Sequence, residues 1–214
     1  MRSAVPSTAL ALAALLAGGS ASAQVGAPAA RTGFSLTPYI GVLLPTTDLL
    51  NYNSEVTKLK AAITFGGRLG IAIGSRIGIE GDIGYSPGSL EASGSGADVN
   101  TDVKIWTGSG RLTVYLIPRT SPLWLGVSGG VGAVRHSFSQ GGYSGTSPIE
   151  AGTDVGGVAG VSAGIRVGRL LAVNVGVEDY LYNASFDVSG TQTSGRSQHD
   201  LRFTGGLRIP FIGF

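Results

Sequence analysis

The chain has 214 residues, of which 36 are glycine, none is cysteine and only 13% are charged. Typical soluble domains carry about 25% charged residues, and a mean hydropathy of +0.26 is too apolar for a disordered chain, so both classes are disfavoured. The formal charge of +2 gives no signal for nucleic-acid binding, and the lack of cysteine excludes disulfides and thiolate metal sites.

The first segment of the chain has the parts of a secretory signal peptide. Arg2 precedes an apolar run of alanine and leucine, and an Ala-Ser-Ala sequence at 21–23 suits signal peptidase. The apolar run is shorter than the roughly 20 residues that a membrane-spanning helix needs. We therefore expect residues 1–23 to be removed and residues 24–33 to form a flexible lead-in.

Residues 34–44 are the first predicted strand. Successive side chains of a β-strand point to opposite faces. The even positions of this segment are apolar, beginning with Phe34, whereas the odd positions include Ser35, Thr37 and Tyr39. The strand is therefore predicted to separate two different environments.

The next two predicted strands, residues 63–73 and 77–85, sharpen this contrast. One face carries isoleucine and leucine, and the other carries glycine, alanine and the charged residues Arg68, Glu80 and Asp82. The outward face of a soluble sandwich strand would instead carry many flexible polar side chains. These charges interrupt an apolar sequence at regular places, so they are predicted to share one face.

The same alternation recurs in five later segments: residues 106–116, 123–134, 155–167, 171–182 and 201–211. Together with the first three, they make eight predicted strands. Each is long enough for the roughly 9–11 residues with which a tilted strand crosses a bilayer.

The connections between these strands alternate between short and long. The short ones are GSR, PRTSP and GR, and the long ones are residues 45–60, 87–102, 136–153 and 184–199. Transmembrane barrels have tight turns at one end and longer loops at the other, and closure pairs every backbone group. The sequence thus predicts an all-β fold, an eight-stranded antiparallel up-and-down transmembrane β-barrel over residues 34–214.

The chain resembles the small outer-membrane β-barrel proteins of the OmpA/OmpX type. The resemblance rests on LTPYIGVLLPTTDL in the first strand and loop, the glycine-rich hairpins, and the aromatic terminal residue Phe214, which is similar to the assembly signal of such barrels. Phe214 has an even number, whereas Leu207 and Phe211 have odd numbers, so an unbroken strand would turn Phe214 to the opposite face. A bulge near Pro210 would return it to the same face. The resemblance implies a bacterial outer-membrane protein with membrane lipid and the barrel-assembly machinery as partners.

In such a barrel the charged residues of the glycine-rich face point into the lumen, because the apolar face must contact lipid. They would form either a selectivity ring lining a pore or an ion-pair network that closes the barrel. We favour the network, since an eight-stranded interior is only wide enough for side chains. The predicted members are Arg68, Glu80, Asp82, Arg111, Arg166, Glu178, Arg202 and Arg208.

Hairpin geometry makes this prediction more specific. A turn centred on residue 75 would place Arg68 beside Asp82, and a loop centred on residue 190 would place Glu178 beside Arg202. The five arginines exceed the three acids by two charges. We therefore expect water, a loop carboxylate or tyrosines to complete the network, and the candidate tyrosines are Tyr39, Tyr115 and Tyr180.

Aromatic residues near the predicted strand ends indicate an interfacial girdle. Its predicted members are Phe34, Tyr85, Trp106, Phe203 and Phe211.

These features favour a non-enzymatic barrel that presents four extracellular loops for structural, adhesion or ligand-binding roles, without a cofactor or a nucleic-acid partner. A narrow channel or transporter for small solutes is the alternative. A lipid-modifying enzyme is less favoured: lipid A deacylases use a histidine and a serine two residues later, but Phe138 follows His136 at that position. His136 and His199 are distant in sequence, so no metal site is predicted.

Overall fold

The computed structural model describes residues 33–47, 50–52, 55–93, 99–138, 152–167, 171–188 and 191–212. They form the strands β1 (Gly33–Pro45), β2 (Leu50–Tyr52), β3 (Glu55–Leu59), β4 (Ala62–Ile73), β5 (Ile77–Ser93), β6 (Val99–Ile117), β7 (Leu123–Phe138), β8 (Gly152–Val167), β9 (Leu171–Val188) and β10 (Thr191–Ile212). No helix in these ranges is long and apolar enough to cross a membrane. The predicted signal peptide and Phe214 lie outside the described residues.

Eight strands close into an antiparallel up-and-down barrel, which confirms the predicted fold. Their order around the ring is β5, β4, β1, β10, β9, β8, β7 and β6, and pairing of β5 with β6 closes it. The short strands β2 and β3 form a hairpin, in which β3 pairs with the far end of β5. Closure matters because an open sheet edge would leave unpaired backbone groups in lipid.

The two ends of the barrel differ. Turns at 74–76 and 118–122 lie at the end where β1 begins and β10 finishes, and we call this the turn end; the opposite end is the loop end. Gly74 has a φ of 72°, a left-handed conformation that favours glycine. The third predicted turn, GR, lies in 168–170, outside the described residues.

Several strands are longer than predicted at the loop end. Residues 87–102 and 184–199, predicted to be long connections, are largely strand: β5 reaches Ser93, β6 starts at Val99, and β9 and β10 leave only 189–190 between them. Residues 45–60 likewise contain β2 and β3. Strands that rise beyond the bilayer no longer need an apolar outer face, so the alternation that predicts them fades there.

The predicted bulge near Pro210 is present. Phe34 pairs with Ile212, but Ser35 pairs with Pro210, so Phe211 is the extra residue of β10. Proline lacks an N–H for the ladder, which makes it suited to such a position.

The distribution of polarity is inverted relative to a water-soluble protein. Leu69, Val131 and Val155 on the outer surface are 65%, 67% and 73% exposed. Arg111 and Arg202, which point into the lumen, are 3% and 0% exposed. The predicted facing of the strands is therefore confirmed.

Candidate functional site

Glu178 lies at the centre of the lumen and accepts hydrogen bonds from three arginines. Arg68 and Arg111 both donate to Oε1, and the Nε of Arg202 donates to Oε2 at 2.8 Å. Glu178 lies on β9, whereas the arginines come from β4, β6 and β10. One carboxylate therefore joins four of the eight barrel strands.

Two acids of β5 complete the charge balance. Arg202 donates to Asp82 Oδ1 at 2.6 Å, and Arg68 Nε lies 3.5 Å from Asp82 Oδ2. Arg111 Nη2 lies 3.4 Å from Glu80 Oε2. Three arginines thus meet three carboxylates with no net charge. We call this group the central network: Arg68, Glu80, Asp82, Arg111, Glu178 and Arg202.

All three candidate tyrosines contact the central network. Tyr39 donates to Asp82 Oδ1 at 3.2 Å and accepts from Arg202 Nη1 at 2.8 Å. Tyr115 donates to Glu80 Oε1 at 3.4 Å, and the guanidinium carbon of Arg202 lies 5.0 Å from the ring centroid of Tyr180. These contacts supply hydrogen-bond partners and cation–π attraction to buried charges.

Glycine on the lumen face gives this group its space. A Cβ atom at Gly84 would lie 2.7 Å from Arg202 Nη1 and 2.8 Å from the Tyr39 hydroxyl. Any larger residue there would displace the arginine that bridges two acids, which explains why charge and glycine alternate in the sequence.

Arg166 and Arg208 lie outside the central network, contrary to the sequence prediction. Arg208 donates to Ser35 Oγ at 3.2 Å and to the Tyr115 hydroxyl at 3.3 Å. Arg166 is exposed and donates to the backbone oxygen of Arg119 at 2.9 Å. Among the described residues, neither arginine forms an ion pair with a carboxylate within 4.0 Å.

The reason for this difference is depth in the barrel. Both Arg166 and Arg208 are register partners of Ala172 on β9. Ala172 precedes Glu178 by six residues, about 20 Å along an extended strand. Parity places all the arginines on the lumen face, but these two lie near the turn end.

The loop end of the lumen is lined differently. Its buried cluster is mostly apolar and consists of Leu43, Leu59, Val103, Ile105, Val134, Val158, Tyr180, Tyr182 and Ala184. His136, interpreted from sequence as a residue at a loop edge, lies inside the lumen at 0% exposure, with its ring centroid 6.1 Å from that of Tyr182. Tyr182 donates to Asp200 Oδ2 at 2.6 Å.

The loop end does not assemble a metal centre from its described residues, in which no three His, Asp or Glu side chains are grouped to hold an ion. His199 is on the outer surface, with Nδ1 3.3 Å from Asp179 Oδ2. The two histidines therefore lie on opposite faces of the barrel wall and are also distant in sequence.

Comparison with known proteins is consistent with this architecture. The sequence matches the family model described as "Outer membrane protein beta-barrel domain" over residues 11–194. The chain belongs to this family. It is therefore a protein of the bacterial outer membrane, in which the turn end faces the periplasm and the loop end faces outward.

Solved structures show the same fold at low sequence identity. OprG from Pseudomonas aeruginosa is 14% identical, with a TM-score of 0.67 over 85% of this chain and 97% of that chain. Outer membrane protein W from E. coli is 15% identical, with a TM-score of 0.52 over 85% of this chain and 99% of that one. No curated protein matches the sequence.

The aromatic residues predicted to form a girdle lie on the lipid-facing surface. Tyr85 packs against Trp106 with ring centroids 4.8 Å apart. Phe65, which the sequence analysis did not include, pairs with Tyr85 and extends this row across three strands. The exposed rings of the predicted set are Phe34, Trp106, Phe203 and Phe211. Their role as interfacial anchors stays a prediction.

Proposed function

We propose that the protein is a non-enzymatic barrel whose lumen is closed by the central network, and that its biological role resides at the loop end. The observation that carries this proposal is the bridge made by Arg202. It contacts Asp82 on β5 and Glu178 on β9, two strands that lie opposite each other in the ring of eight. A side chain that spans the lumen leaves little room for a water-filled path.

The loop end would then serve structural, adhesion or binding roles. The loop end is the end that faces outward, where an external ligand can meet it. Membrane lipid is the partner that the apolar outer surface fits, and the barrel-assembly machinery is the partner expected during insertion.

The surroundings of His136 support a non-enzymatic role. The ring is fully buried in the lumen, and the register places the following residue, Ser137, on the other face of β7. A lipid in the bilayer cannot reach a histidine that points into a filled lumen, and a histidine–serine pair with geometry for catalysis is not formed by adjacent strand residues.

Planar-bilayer recording tests the proposal. We expect refolded mature protein to show no steady ion conductance. Replacing both Glu178 and Arg202 with alanine should open a measurable conductance, because it removes the bridge across the lumen. Asp179→Ala, a change at the neighbouring outward-facing position, should stay silent. Steady conductance by the unaltered protein would refute closure.

The apolar lining of the loop end favours a second candidate, a narrow passage for small apolar solutes. Leu43, Ile105 and Val134 are almost completely buried there, and only apolar molecules would replace such contacts without loss. A continuous passage would have to cross the central network. Because an uncharged solute carries no current, its flux into vesicles that contain the protein, compared with protein-free vesicles, separates the two candidates.

A further inference from the structure

Two basic side chains face outward on adjacent strands near the loop end. Lys104 on β6 and Arg135 on β7 are both exposed. In the register of the sheet, Arg135 lies opposite Trp106. Lys104 lies opposite Ser137, so Lys104 and Arg135 are diagonal neighbours. Such neighbours are about 7–8 Å apart, within reach of long side chains. We call Lys104 and Arg135 the basic pair.

The outward face of β6 sets the depth of this pair. From Trp106 to Leu116, the outward positions of β6 carry no charge. Ten residues of strand span about 33 Å, and a tilt of about 35–45° reduces this span to about 25 Å, the height of the apolar band of a membrane barrel. This span would set Trp106 at the outer interface, the depth expected for an aromatic girdle. Lys104 lies two residues farther out, at the depth of lipid headgroups.

The basic pair is not neutralised by a described acid. In the part of the chain that the structure describes, no carboxylate lies within 4.0 Å of Lys104 or Arg135. Asp102 is exposed on the same face of β6, but it is two residues farther from the membrane, about 7 Å along the strand. By contrast, the outward acid Asp179 forms an ion pair with His199. The positive charge of the basic pair is therefore available to an anion.

The outer surface beside Trp106, towards the turn end, is recessed. Gly108 and Gly110 are the next outward positions of β6, and Gly108 lies opposite Ala133 on β7. A Cβ atom at Gly110 would meet no other atom within 4 Å. The adjacent Val131 is 67% exposed and stands above these small residues. A depression in an apolar surface lets an acyl chain approach the strand closely.

We propose that the basic pair binds the phosphate of a phosphorylated lipid in the outer leaflet. The guanidinium of Arg135 offers parallel N–H donors that match phosphate oxygens, and the ammonium of Lys104 adds a point charge. Basic residues at a membrane surface attract anionic lipid headgroups. The acyl chains of the same lipid would lie over the glycine-lined depression. The proposal narrows the expected partner, membrane lipid, to one headgroup chemistry, and it does not depend on closure of the lumen, because both side chains are on the outer surface.

Native mass spectrometry of the refolded protein in an uncharged detergent tests this binding. Diphosphorylated lipid A is the probe, and the same lipid without its phosphates is the ligand control. We expect the protein to retain lipid A at concentrations at which the dephosphorylated lipid is not retained.

Variants show whether the basic pair holds the phosphate. Lys104→Gln and Arg135→Gln should each weaken lipid A binding about fivefold, and the double variant about 25-fold, as expected for the attraction of one basic residue to an anionic lipid surface. Both side chains are exposed, so the single variants carry the test if the double variant does not refold. Arg76→Gln is the matched control, because Arg76 is an exposed basic residue in the turn at 74–76. It should bind lipid A like the unaltered protein.

Three results would overturn the proposal. The first is equal retention of lipid A with and without its phosphates, which would leave only apolar contact. The second is an equal loss in Arg76→Gln and in the variants of the basic pair, which would show attraction to positive charge anywhere on the barrel. The third is unchanged binding in both single variants.

Discussion

Replacing Glu178 with glutamine should lower the free energy of unfolding by about 3–5 kcal/mol, the usual cost of removing one partner of a buried ion pair. The effect should be at the upper end of this range, because Glu178 accepts from Arg68, Arg111 and Arg202. Glutamine keeps the size of the side chain but leaves three buried arginines with two acids. The loss is therefore electrostatic.

Urea unfolding in lipid vesicles measures this difference. Asp179→Asn is the matched control, since Asp179 is the next residue on β9, faces outward, and forms its one ion pair among the described residues with the half-exposed His199. We expect that control to stay within about 1 kcal/mol of the unaltered protein. Equal losses at 178 and 179 would contradict the assignment of Glu178 to a closed lumen.

Arginine at position 161 should destabilise the inserted barrel by about 2–4 kcal/mol, the typical cost of this charge at the bilayer midplane. Val161 is 51% exposed on the outer surface, at the centre of β8, and pairs with Val127 and Val177. The long side chain cannot reach either interface without strain.

Val155→Arg is the depth control for this change. Val155 lies on the same face of β8 but near the loop end, and it is 73% exposed. There the cost should fall to about 0–1 kcal/mol. Folding yield into vesicles and urea unfolding report both variants. If arginine were tolerated equally at 155 and 161, the outer face of β8 would not cross the membrane as described.

The fold was predictable because a strand that separates lipid from a polar lumen alternates apolar with small or polar residues along the part that crosses the membrane. Parity assigned Arg68 and Glu178 to the lumen, and hairpin counting paired Arg68 with Asp82. The pairing of Glu178 with Arg202 also agrees with the count, although the register of this hairpin is not uniform: Val188 pairs with Thr191, and an irregularity between Ser194 and Ser197 shifts the register by one residue. Strand alternation and hairpin counting therefore predict which residues pair between neighbouring strands of the sheet.

Contacts across the lumen were not predictable in this way. Glu178 meets Arg68 and Arg111 only because the ring closes and brings β4 and β6 towards β9. Counting residues along a hairpin gives no information about contacts across the lumen. Arg119 was not predicted to be buried because the alternation of strand faces does not extend into the turn at 118–122. Apolar lumen residues such as Leu43 and Val158 share the parity of the charged face, so their positions did carry the signal.

The central claim is that the charges inside these apolar strands neutralise one another in the lumen, and a double-mutant cycle on Asp82 and Arg202 tests it most directly. Their side chains meet at 2.6 Å, and removing both leaves two arginines with two acids. We predict that Asp82→Asn and Arg202→Gln together cost less than the sum of the single changes, with a coupling of about 1–3 kcal/mol in urea unfolding. Additive losses, within about 0.5 kcal/mol, would contradict the claim.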